Sequence, residues 1–135
     1  MPFTESNYEN AVLQLFTQTL GYSYAYGPDI DRDYHDPLYE ELLLSALQRI
    51  NPGLPMEALN EAVYKIKNFE TGTLLQKNMT FTDYMQSGVP VKYFVDGEER
   101  SALVYLIDFQ NPSNNDFTVV NQWTIVENSE KRPDV

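Results

Sequence analysis

Apolar residues recur at helical spacing through Tyr8, Val12, Leu15, Phe16 and Leu20, which predicts an amphipathic helix over residues 4–20. Thr4 and Ser6 are candidate N-caps, and Gly21 stands where a left-handed residue ends a helix. Tyr22-Ser23-Tyr24-Ala25-Tyr26 alternates like a short strand, stopped by Gly27-Pro28, and a loop over 29–36 follows. Asp36-Pro37 suits a second helix start, with Leu38, Leu42, Leu43, Ala46, Leu47 and Ile50 running to Asn51-Pro52-Gly53. Pro55 opens a third helix carrying Leu59, Ala62, Val63, Ile66 and Phe69. Residues 73–88 hold no single period: a short helical turn, an extended piece around Met79 to Phe81, then a turn to Gly88.

From Val89 the period changes to alternation. Segments 91–95 and 101–109 flank Asp96-Gly97, a pair suited to a hairpin turn with positive φ. An Asn-rich loop (Asn111, Asn114, Asn115) leads to a β-branched run over 117–126. The three segments are expected to form one antiparallel sheet with the first helix packed on a face. Helices first and an antiparallel β-meander afterwards argue an α+β fold. After a polar turn, Arg132-Pro133-Asp134-Val135 reads as the first residues of another strand, where a proline is tolerated because no ladder donor is needed. The chain is therefore expected to be a fragment that breaks off as this strand begins.

At 135 residues the chain is one domain or most of one, long enough to bury a core. No apolar run approaches the roughly 18 residues of a membrane span, and no secretory signal opens the chain, so no membrane partner is expected. The absence of cysteine excludes disulfides and cysteine-ligated zinc, and fits a cytoplasmic location. A net charge of −11 with nine scattered Lys and Arg predicts poor nucleic-acid binding by the chain alone, because that affinity rests on neutralising phosphates.

The single histidine, His35, lies in an acidic stretch without a nucleophile pattern and reads as a surface residue, not a triad member. There is no Gly-rich phosphate loop, so nothing here points to nucleotide binding. Asp29, Asp31, Asp33 and Asp36 have the look of a calcium loop but lack its sixth-position glycine and correctly phased twelfth-position glutamate, which favours a solvated acidic loop. Glu5 and Glu9 share a helix face near its N-terminus, where carboxylates are favourable; the functional alternative is that one of them points at a metal. Pro133-Asp134 is either a turn or a carboxylate at a strand start that can hold a hard divalent cation.

Taken in order, several segments resemble the N-terminal region of the R (restriction, motor) subunit of type I restriction enzymes. They are Thr4-Glu5-Ser6-Asn7-Tyr8-Glu9, Leu20-Gly21-Tyr22, Ile50-Asn51-Pro52-Gly53-Leu54-Pro55 and Ala58-Leu59-Asn60-Glu61-Ala62-Val63. Further along come Asn78-Met79-Thr80-Phe81, Gly88-Val89-Pro90-Val91, Leu106-Ile107-Asp108-Phe109, the run from Asn114 to Gln122, and Arg132-Pro133-Asp134-Val135. The resemblance spans essentially the whole chain. It implies that residues 1–135 are the N-terminal part of a PD-(D/E)xK-type, restriction-endonuclease-like nuclease domain. It further implies that Asp134 is a catalytic metal ligand for Mg²⁺ and that Glu9, or Glu5 instead, is the helix glutamate beside the metal. The Glu-x-Lys that completes such a site, and an ATP-driven helicase-like motor, would lie beyond this chain. The implied parent cleaves DNA phosphodiesters and translocates DNA with ATP, in complex with methylation and specificity subunits that read the site. The alternative is a non-catalytic α+β protein-interaction module.

Overall fold

The computed structural model describes residues 4–127 and 130–131; the strand expected to begin at 132, with Asp134, lies outside them. The described chain mixes helices and strands in two compact units. One comprises the chain up to Tyr39 and again from Phe117, and the other is Glu40–Asp116.

The second unit holds the larger core. Helix α2 (Glu40–Ile50) carries Glu40 and Glu41 in its first turn and Arg49 in its last, each favourable to the helix dipole. It starts later than Pro37 because the Asp36 carboxylate accepts from the Leu38 N–H at 2.9 Å and holds a turn there. Helix α3 (Met56–Lys67) follows Pro55 and stops at Asn68, so Phe69 lies outside it. Strands β2 (Val89–Val95) and β3 (Glu98–Val104) form the expected hairpin, with Asp96 at φ 52° and Gly97 at φ 80°. Leu47, Ala58, Leu59, Ala62, Val63, Val89, Val91 and Val104 bury together between α2, α3 and the hairpin. A leucine or valine fully buried in this way contributes about 1.5–3 kcal/mol.

Asn51 bolts this unit together. Its side chain, only 6% exposed, donates to Leu47 O (3.0 Å) and Tyr105 O (2.9 Å) and accepts from Tyr105 N (2.9 Å). That pairing takes over the backbone of Tyr105 and so ends β3 at Val104 rather than Phe109. Beyond it, the Asn-rich loop is a hydrogen-bonded scaffold: Asn115 Oδ1 accepts from Asp108 N (2.8 Å) while its Nδ2 donates to Asp108 O (2.9 Å).

Residues 74–87 are a correction. They form one continuous helix, α4 (Leu74–Ser87), with no extended piece at Met79. Thr73 accepts from Gln76 N and the Gln76 side chain accepts from Thr73 N, a closed capping box, and Gly88 at φ 94° ends the helix. None of its residues is buried, and Leu74, Leu75 and Met79 are 75%, 70% and 65% exposed. Phe81 and Tyr84 pack on Phe69, which is too little of a stripe to read as a hydrophobic period.

In the first unit, helix α1 (Glu5–Gln14) begins at the Thr4 cap and runs on into a π-turn (Leu15–Thr19), closed by Tyr22 N–H to Phe16 O at 2.8 Å and by Gly21 at φ 74°. The antiparallel meander is the second correction. Strand β4 (Thr118–Asn121) does not join the hairpin; it pairs in parallel with β1 (Ser23–Tyr26), Tyr24 opposite Val119 and Tyr26 opposite Asn121. Alternation announces a strand but not its partner, and the neighbour in sequence was the wrong one here. Nor does α1 bury a face on a three-stranded sheet; its residues stay at least partly exposed. Phe16, Tyr22 and Phe117 pack in series as tilted rings at 5.1 and 5.2 Å between centroids, joining the π-turn to the residues that lead into both strands. Short strands β5 (Ile125–Val126) and β6 (Glu130–Lys131) pair antiparallel.

Candidate functional site

The cap at Thr4 sets the phase of α1, and that phase turns Glu9 toward the end of β4. Glu9 is half-buried. Its Oε1 accepts from Asn121 Nδ2 at 2.6 Å and its Oε2 accepts from Gln122 Nε2 at 3.2 Å. Both donors are neutral amides, so they hold the carboxylate without neutralising it, and each oxygen keeps a further lone pair. Asn121 is itself 5% exposed, and its Oδ1 accepts from the Tyr24 hydroxyl at 2.9 Å.

The backbone that presents these amides is unusual. Gln122 takes a positive φ of 53°, which swings the chain out of β4. Gly27 lies directly under that bend: a Cβ there would sit 2.3 Å from Gln122 O and 2.6 Å from Asn121 O. Glycine is required at 27 for space, not for its own dihedral. Two stretches that carried the resemblance, 4–9 and 114–122, thus meet at one carboxylate.

Glu5 is exposed in the first turn of α1, and Glu9 is the member of the pair that the amides engage. Asp134 lies outside the described residues. His35 is exposed, with Nδ1 3.0 Å from Asp33 Oδ1. Within the acidic stretch around it, Arg32 ties the backbone to two aromatic rings. Arg32 lies 3.6 Å over the Trp123 ring and 4.8 Å from the Tyr34 ring, donates to Asp36 O at 3.2 Å, and reaches Thr124 O. Trp123 stacks on Tyr39 and donates to Pro37 O at 3.1 Å. Among the described residues no three His, Cys, Asp or Glu side chains gather in the manner of a metal site, and no helix is long and apolar enough to cross a membrane.

Sequence reading placed Tyr24 in a short strand and Gly27 at its stop, and Asn121 and Gln122 in the 117–126 strand and a resembling segment, but gave none of them a part in the site. One signal was available: the Asn-Gln pair is a polar end to the β-branched run Thr118-Val119-Val120.

The family profile described as "Type I restriction enzyme R protein N terminus" matches residues 2–135. The chain is 33% identical over 129 residues to the type I restriction enzyme HindI endonuclease subunit of Haemophilus influenzae, a match covering 90% of this chain and 12% of that protein. It is 29% identical over 137 residues to the putative type I restriction enzyme MjaIXP endonuclease subunit of Methanocaldococcus jannaschii, covering 94% of this chain and 13% of that protein. The chain thus spans about an eighth of the length of these relatives. No solved structure matches it.

Proposed function

The chain belongs to the family of type I restriction enzyme R protein N termini, and on that premise we propose that it supplies part of the endonuclease domain of a DNA restriction subunit. In this reading Glu9 and Asp134 contribute carboxylates toward Mg²⁺, and the parent cuts DNA phosphodiesters with it. The observation that carries the proposal is the grip of Asn121 and Gln122 on Glu9. A carboxylate held by neutral donors, with lone pairs to spare, offers the hard oxygen donors that Mg²⁺ prefers. When bound, Mg²⁺ would activate water and stabilise the charge of the leaving oxygen. The residues of this chain would orient: α1 fixes the base of Glu9, the two amides fix its head, and Asp134 adds a second carboxylate. The Glu-x-Lys and the ATP-dependent motor are assigned to chain beyond this one, and sequence reading by the complex to methylation and specificity subunits.

The test uses the complete subunit assembled with its partners. Glu9→Gln and Asp134→Ala are each expected to lower Mg²⁺-dependent DNA cleavage by more than the roughly 10–100-fold typical of residues that only support a metal ligand. ATP hydrolysis should continue. Normal cutting by Asp134→Ala would remove that residue from the site, and normal cutting by Glu9→Gln would do the same for Glu9.

A further inference from the structure

Resting on Glu9 as a metal-facing carboxylate, the geometry points to Tyr24 and Asn121 as positioning residues that fix the direction in which Glu9 presents its free lone pairs. The argument is one of polarity. An ionised carboxylate can only accept hydrogen bonds, so Asn121 must turn its NH₂ toward Glu9. That leaves the Asn121 carbonyl facing Tyr24, whose hydroxyl must then donate. The chain Tyr24 Oη–H to Asn121 Oδ1 (2.9 Å) and Asn121 Nδ2–H to Glu9 Oε1 (2.6 Å) has only this one self-consistent direction.

The strand register builds it. Tyr24 is opposite Val119, and Asn121 is two residues further along the same face of β4, where the tyrosine hydroxyl reaches it. Asn121 is buried, so an amide that lost its hydroxyl partner would be left with an unsatisfied oxygen and a reason to rotate. Tyr24 is 48% exposed, and a phenylalanine in its place keeps the ring and removes only the donor. Tyr24 touches no reacting group; it acts through Asn121.

The experiment titrates Mn²⁺ into the complete subunit without DNA or ATP, followed by electron paramagnetic resonance, and records Tm for each variant. Tyr24→Phe is expected to weaken Mn²⁺ binding about tenfold with Tm little changed, the scale on which supports of metal ligands act. The double variant Tyr24→Phe/Glu9→Gln should bind no more weakly than Glu9→Gln alone, because the hydroxyl works only through that carboxylate. Wild-type Mn²⁺ affinity in Tyr24→Phe beside a weakened Glu9→Gln, or fully additive losses in the double variant, would overturn the positioning role alone. Wild-type affinity in Glu9→Gln would overturn the metal reading of Glu9 and this inference with it.

Discussion

Asp108 shows how much a single side chain can organise. It receives N–H groups from Gln110 (3.1 Å) and Asn111 (2.8 Å) on Oδ1 and the Asn114 amide (3.0 Å) on Oδ2. The Asn111 N–H most of all, then the Asn114 amide and the Gln110 N–H, hold its carboxyl below the ordinary aspartate value, against an upward push from burial. A folded-state value lower than the unfolded one stabilises the fold above the unfolded value. That contribution is lost as pH falls from about 4 through the lowered folded value. Asp108→Asn should therefore flatten the acid limb of a stability–pH profile measured by urea unfolding, since the variant has no charge to lose. An unchanged acid limb would show that Asp108 does not couple to folding. At this scale the sequence was legible in part. Gly21, Gly97 and the Thr4 cap declare themselves, because each residue type answers a local backbone need. Asn51, Gly27 and Tyr24 do not, because their partners lie far along the chain.

Between elements, the difference between α4 and the hairpin is instructive. The hairpin was readable because its turn pair and its alternation agree. Helix α4 was misread because Leu74, Leu75 and Met79 are exposed and only Phe81 and Tyr84 turn to Phe69, so its apolar residues mark no continuous stripe. Its capping box and Gly88 were the better signals. If the box anchors the helix, Thr73→Ala should cost about 1 kcal/mol of stability, read as a shift of the denaturation midpoint. No shift would mean that α4 is held by its packing alone. The meander failed for another reason: consecutive strands usually pair, and β4 instead pairs with β1, with residues 40–116 between them in sequence.

For the whole molecule, charge and composition set the limits. With a net charge of −11 and nine Lys and Arg, this chain alone should bind duplex DNA more weakly than about 10⁻⁴ M at physiological salt, and should not cut it. Fluorescence anisotropy with a labelled duplex checks the first expectation and a Mg²⁺ digestion assay the second; tight binding or nicking would refute them. The family and the mixed helix-and-strand class were both legible in the sequence, while the strand pairing and the residues around Glu9 needed coordinates. The parallel closure of β1 on β4 also has a consequence for timing. Glu9 and Asn121 are 112 residues apart. During synthesis at about 5–20 residues per second, Glu9 is added to the chain roughly 5–20 s before the amide that will hold it. The residues of the Glu40–Asp116 core are all added before Asn121, whereas the carboxylate must wait for strand β4. The candidate site is thus among the last features to mature as the chain emerges.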